Sequence, residues 1–193
     1  MKFTQVPADT FKEIQLNAGI ILKDFDPATG TLKTTDIVGA TSGGVSFAAE
    51  PEFVDFGEDI DNVPNNTKEL KRLNAITATM SGEFVSMSVD MAKLLAGAAD
   101  VSDGKVVPRA DLATTDFQDI WWVGDYSDKN GETNGGFIAI KLLNALSTGG
   151  FQIQSTDREK GKFEFEFTGH YSIDAIETVP YEIYVKQGTD EAA

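Results

Sequence analysis

The sequence predicts a mainly β (α+β) fold: an antiparallel β-sandwich with one flanking α-helix at about 88–98. Three observations carry this. Residues Lys162-Phe163-Glu164-Phe165-Glu166-Phe167-Thr168-Gly169-His170-Tyr171 alternate strictly, with the phenylalanines on one side and Glu164, Glu166 and Thr168 on the other. A period of two marks a strand half-buried in an antiparallel sheet. Further apolar stretches recur between clusters of Gly, Pro, Asn and Asp, and imply about eight to ten strands. The period changes to that of a helix only once, where Met91, Leu94, Leu95 and Ala98 form a stripe behind the N-cap candidate Ser88 and first-turn Asp90.

In chain order, a first strand is expected within Phe11 to Leu22, closed by the turn Asp26-Pro27-Ala28-Thr29-Gly30. Thr31 to Thr41 reads as loop. Gly43-Gly44 opens a strand over Val45 to Ala49; Pro51 breaks it, and Phe53-Val54-Asp55-Phe56 resumes extended structure. Asp55 to Thr67 has a loop composition. Leu73 to Val85 is a long strand with Ile76, Ala78, Met80 and Phe84 on one face and Thr77, Thr79, Ser81 and Glu83 on the other, and Gly82 marks a bulge. After the helix come a short extended piece, Lys105 to Pro108, and a strand from Phe117 to Tyr126 that sends Trp121 and Trp122 to opposite faces. A hairpin loop, Asp125 to Gly136, leads into a strand from Phe137 to Leu146. Phe151 to Gln154, the phenylalanine strand and Tyr181 to Val185 complete the set, ahead of a loose acidic tail at 188–193. No linker and no internal repeat is evident, so residues 1–193 are expected to form one domain.

Composition excludes several function classes. There are 31 acidic residues against 16 basic ones, a net charge of −15. A surface that grips nucleic acid or an anionic membrane needs the opposite sign. Cysteine is absent, which removes disulfides, thiolate metal sites and cysteine nucleophiles. The opening residues Met1 to Pro7 carry no apolar run, so no secretion signal is expected. No apolar stretch approaches the roughly 20 residues of a membrane-spanning helix.

Catalytic hardware is sparse. His170 is the only histidine; Asp174 or Glu177 could orient it in a triad, but no Gly-x-Ser-x-Gly elbow exists, and a solvated or interface histidine is the expectation. One histidine and no cysteine cannot hold zinc. The stretch Asp125 to Glu132 has a calcium-loop texture. With Gly131 at the sixth position, Asp128 and Asn130 fall correctly at three and five, but Tyr126 and Phe137 occupy the two anchoring positions. Glu164 and Glu166 share a face and could be read as a glycosidase pair, yet their spacing of about 7 Å is what any strand provides. Trp121 or Trp122 could stack a sugar, or serve in the core or in a subunit interface. Catalytic residues, metal and cofactor are therefore all expected to be none. The charge blocks say more: Glu50, Glu52, Asp55, Glu58, Asp59 and Asp61 precede Lys68, Lys71 and Arg72. Such a loop is either self-complementary between copies or neutralised within one subunit.

Several long segments resemble a known family. Asp55-Phe56-Gly57-Glu58-Asp59-Ile60-Asp61-Asn62-Val63-Pro64 with Asn66-Thr67-Lys68-Glu69-Leu70, Asp119-Ile120-Trp121-Trp122-Val123-Gly124-Asp125-Tyr126-Ser127-Asp128-Lys129-Asn130-Gly131, Asn144 to Phe151 and Phe165 to Ser172 resemble the major tail protein, or tail tube protein, of long-tailed (siphovirus-type) bacteriophages, over about residues 10–186. The resemblance implies a non-enzymatic virion tail subunit, made in the bacterial host cytoplasm. Such subunits form rings, typically hexameric, that stack into a hollow tube, and the sheets of neighbours join into a continuous inner barrel. The implied partners are other copies of itself, a tape-measure protein, tail terminator and tail-tip proteins, and double-stranded DNA in transit; no membrane binding is implied. An inner-tube subunit of a contractile injection device is the nearest alternative, and a carbohydrate-binding β-sandwich module a more distant one. For the lumen the candidates are Glu164 and Glu166, or Thr77, Thr79, Ser81 and Glu83. An extended assembly loop at about 55–72, with Asp55, Glu58, Asp59, Asp61, Lys68, Lys71 and Arg72, is the candidate for contact between rings.

Overall fold

Alternation along the phenylalanine strand has the predicted effect. In the computed structural model, which describes residues 5–7, 10, 13–126 and 135–188, Phe165 and Phe167 are buried while Glu164 and Glu166 are exposed. The chain runs β1 (Ile20–Leu22), β2 (Ile37–Gly39), β3 (Thr41–Asp55), β4 (Lys71–Phe84), α1 (Val89–Ala96), β5 (Ala99–Ser102), β6 (Lys105–Pro108), β7 (Gln118–Asp125), β8 (Phe137–Ser147), β9 (Phe163–Thr168) and β10 (Tyr181–Lys186). All the ladders are antiparallel. The main sheet follows the order β2-β1-β7-β8-β9-β4-β3, with β10 also paired to β8, while β5 and β6 form a separate hairpin.

β8 is the hub. Its first half takes β7 on one side and β10 on the other, whereas Leu146 and Ser147 pair with Thr168 and Phe167 of β9. Two groups of strands thus diverge from one strand and face each other across a shared core. Ile21, Ile120, Ile140 and Leu142 from the β1–β7–β8 side meet Ala78, Met80, Phe84, Phe165 and Phe167 from the β4–β9 side, and Met91, Leu94 and Leu95 of α1 join the same cluster. This is the two-layer solution expected for sheets with one apolar face. A second cluster, Leu22, Phe25, Trp121, Phe137 and Ala139, lies on the other face of β1, β7 and β8.

The helix matches its signals. Ser88 accepts the Met91 backbone N–H at 3.2 Å, Asp90 and Lys93 occupy the first and last turns, and Gly97 closes the helix at φ 73°. The predicted span of 88–98 shrinks to Val89–Ala96 because Ser88 and Gly97 are the caps, not helical residues.

Three expectations are corrected, and one strand is not foreseen. Pro51 does not break β3, which runs unbroken through it, with Pro51 opposite Ile76. β3 is the outermost strand, and such a strand needs only alternate N–H groups for its single ladder, so one missing donor is tolerated. The bulge lies at Gly43-Gly44, with φ 79° and 88°, and Gly82 sits across from it. The supposed loop Thr31 to Thr41 contains a 3-10 turn (Thr34–Asp36) and β2, where Val38 is buried. β5 escapes a sequence reading because four residues with one buried side chain leave no period to read.

Gly82 is a point of tight packing on this sheet. A Cβ there would lie 2.9 Å from Phe165 Cζ and 3.0 Å from Gly44 O. Gly82→Ala is expected to cost about 1–3 kcal/mol, read as a lower urea midpoint at unchanged slope; a midpoint equal to that of the parent would show that the bulge and ring yield freely.

Candidate functional site

Antiparallel register decides which side chains share a surface. β4 and β9 pair so that Thr79 stands opposite Thr168, Ser81 opposite Glu166 and Glu83 opposite Glu164. The two sets of candidates, Glu164 and Glu166 or Thr77, Thr79, Ser81 and Glu83, are therefore one surface. β3 widens it, with Ser42 opposite Glu83, Ser46 opposite Ser81, Ala48 opposite Thr79 and Glu50 opposite Thr77. Behind it lie the buried Ala78, Met80, Phe84, Phe165 and Phe167. A slip of one residue would send Glu164 and Glu166 into that core, so the register is strongly specified.

The surface is polar and mostly acidic. Lys162 lies 2.8 Å from Glu83, and the hydrogen bond to that carboxylate raises the lysine's pKa above its usual 10.5. Glu166 accepts the Thr148 hydroxyl at 3.0 Å, and Thr148 and Thr168 share a hydroxyl contact of 2.8 Å. Glu50 and Glu164 make no ion pair among the described residues. Along the rim of this surface runs the outer edge of β3, 15 residues with no strand beyond it among the described residues. Sequence reading misses Thr148 and Lys162, whose places depend on how the chain returns to β9.

β9 ends opposite Thr79, but β3 and β4 stay paired out to Asp55 and Lys71. The excess forms a two-stranded arm. Tyr171 steadies its base, its hydroxyl accepting the Ile76 N–H at 2.8 Å. At the tip, residues 56–70 form an organised loop. Asp55 is its organiser: Oδ1 accepts the Gly57 N–H at 2.9 Å and Oδ2 the Asn66 N–H at 2.7 Å. These bonds, Gly57 first, hold the carboxyl pKa below its usual 3.8. Lys71 reaches Asn66 Oδ1 at 3.3 Å, and Arg72 donates to the carbonyl of Glu69 at 2.7 Å. The basic root is thus occupied within its own loop, while Lys68 lies 3.5 Å from Glu69 on the surface. Glu58, Asp59 and Asp61 are exposed and make no ion pair among the described residues. The signal for Asp55 is present in Asp55-Phe56-Gly57, an Asx-turn pattern.

The rival sites do not assemble. His170 Nδ1 lies 3.1 Å from the Asn144 carbonyl and its ring packs edge-on against Phe117; neither Asp174 nor Glu177 is a partner. Trp121 is only 5% exposed. Trp122 packs on the main core and its indole N–H donates to Ala18 O at 2.9 Å. A sugar-stacking platform at Trp121 is therefore closed off. Most of the calcium-like loop lies outside the described residues, as does most of the 188–193 tail. No group of three or more metal-ligating side chains occurs among the described residues, and none of their helices is long and apolar enough to cross a membrane.

Because the folded pKa of Asp55 is depressed, its contribution is present above 3.8 and is lost as pH falls through the folded value. Acidification through that folded value is expected to lower the protection factors of the Gly57 and Asn66 amides, taken relative to their intrinsic exchange rates at each pH. Asp55→Ala is expected to do the same at neutral pH. Both are measurable by hydrogen exchange; amides equally protected in the variant would remove Asp55 as organiser.

No protein-family model matches the chain, and no curated protein is similar to it. Among solved structures, the chain is similar to one from the virion of a native gene transfer agent particle, with 11% identity and a TM-score of 0.42, covering 80% of this chain and 92% of that one. It is also similar to one from the tail of an empty gene transfer agent particle with C6 symmetry, with 12% identity and a TM-score of 0.39 over the same shares.

Proposed function

We propose that this protein is a structural subunit of a phage tail tube, one domain that assembles with copies of itself into stacked rings around a conduit for DNA. The observation that supports this best is the β3–β4–β9 sheet, which combines an acidic outer face with a long edge that no strand covers among the described residues. Open edges invite further strands, and a closed barrel of neighbouring sheets removes them. A ring that closes needs one head-to-tail interface, and stacking needs a second. In this reading the face bearing Thr77, Thr79, Ser81, Glu83, Glu164 and Glu166 lines the lumen. Carboxylates there repel phosphate, so DNA slides, whereas a basic lining would hold it through counterion release. The loop at 55–72, with its exposed acids Glu58, Asp59 and Asp61 and its internally bonded bases, makes the contact between rings. A tape-measure protein would fill the bore before DNA, and terminator and tip proteins would close the two ends. The chain would act in the virion tail after synthesis in the host cytoplasm, with no catalytic step.

Electron microscopy of concentrated protein tests the class: tubes are expected, and they should form faster as salt rises, since copies of charge −15 repel one another. Particles that stay monomeric at every concentration and salt level would count against self-assembly. The lumen assignment has its own test. Tubes carrying Glu164→Lys and Glu166→Lys are expected to retain DNA that parent tubes release. Equal release from both would place these residues elsewhere.

A further inference from the structure

His170 sits where the two layers of the sandwich part, and the proposed assembly gives it no role. β8 carries one residue too many against β7: Gln118 stands opposite Ala145 and Ile120 opposite Leu142, so Leu143 and Asn144 share the single residue Asp119 as their counterpart. Such a β-bulge bends a strand and raises its twist. Asn144 takes φ 46° there, a left-handed conformation that asparagine tolerates better than most residues. Before the bulge, β8 pairs with β7 and β10; beyond it, Leu146 and Ser147 pair with β9. The bend is therefore the point at which one strand changes layer.

A bulge takes backbone groups out of the regular ladder, and each needs another partner. The Leu143 N–H donates to Pro180 O at 2.9 Å, and the Leu143 carbonyl accepts the His170 N–H at 3.1 Å. The Asn144 N–H donates to Asp119 Oδ1 at 3.0 Å, while Lys141 holds Asp119 Oδ2 at 2.9 Å. That leaves the Asn144 carbonyl, and His170 Nδ1 lies 3.1 Å from it. The Asn144 side chain returns the contact, its Nδ2 donating to the His170 carbonyl at 3.1 Å. Gly169 lets the chain come this close: a Cβ there would lie 2.7 Å from Pro180 O and 2.8 Å from Leu142 Cδ1. The Gly169 N–H is bonded in turn to Ala78 O of β4, at 2.9 Å.

We infer that His170 is a clasp at this branch: in its Nδ1–H form it donates to the Asn144 carbonyl and so fixes the bend by which β8 passes from one layer into the other. A carbonyl oxygen only accepts, so the contact requires the proton on Nδ1, and the hydrogen bond selects that tautomer. The edge-on contact with Phe117, ring centroids 5.1 Å apart, orients the ring for it. The clasp gives the single histidine a purpose in a half-buried place without any catalytic partner. It also ties together three stretches far apart in the sequence: β7 through Asp119, the end of β9 through His170, and the approach to β10 through Pro180.

A single histidine makes the test direct. With isotope-labelled histidine nitrogens, NMR in alkaline solution, where an imidazole is neutral, is expected to show the proton on Nδ1. A neutral ring protonated on Nε2 would overturn the inference. The tautomer is read on the parent protein, so it decides even where a variant fails to fold. Two variants then separate hydrogen bonding from packing. His170→Ala is expected to lower the protection factor of the Asn144 amide about tenfold, the effect of one lost hydrogen bond, while amides of the β3–β4 hairpin keep theirs. His170→Asn, whose Nδ2 falls where the imidazole Nδ1 lies, is expected to restore most of that protection. Equal loss in both variants would reduce His170 to packing against Phe117 and overturn the clasp. An Asn144 amide as well protected in His170→Ala as in the parent would overturn it too.

Discussion

The ladder between β4 and β9 is the constraint on which the rest depends. It fixes Phe165 and Phe167 toward the core and Glu164 and Glu166 away from it. The two faces cannot be exchanged. Two carboxylates buried without partners would each cost several kcal/mol, and two exposed phenylalanines would forfeit about 1.5–3 kcal/mol each. The acidic surface is therefore the obligatory reverse of the core. Through Leu146 and Ser147 the same layer reaches β8, so the sheet that carries the surface is also the sheet that closes the sandwich.

A consequence is the stagger. β3 and β4 are 15 and 14 residues long, while β9 has 6. The long hairpin cannot be covered by so short a partner strand. An isolated two-stranded ribbon is marginal in water, which gives weight to the contacts that hold this one: Tyr171 at the base and the Asp55 network at the tip. Both are side chain to backbone bonds. They order the arm without covering its apolar face, and they leave it able to meet another surface.

Much of this is legible in the sequence because two-residue periodicity reports a buried face directly. The Phe163 and Ile76 strands and the Ser88 cap each announce themselves through local chemistry. Pro51 misleads because a proline's cost depends on whether its strand is central or at the edge, which is a tertiary property. The acidic surface reads as two alternatives because residues 77–83 and 164–166 are joined only by register, and no single segment encodes a register. Lys71 and Arg72 read equally well from sequence as partners for another copy or as bases neutralised within their own subunit. Their bonds, to Asn66 and to the carbonyl of Glu69, depend on a loop that doubles back on itself.

In the self-assembly proposed above, net charge opposes association, and what matters is where that charge lies. Repulsion between copies at −15 is screened beyond roughly 8 Å at physiological salt, so only charges near a contact oppose it. The acids of the sheet face lie on the opposite side of the β3–β4 hairpin from Phe53 and Leu73. The acids of the loop, Glu58, Asp59 and Asp61, stand beyond the stem. What remains along the stem is largely apolar. A chain with the same composition but with those acids spread evenly would keep its net charge and lose the largely apolar face of the stem.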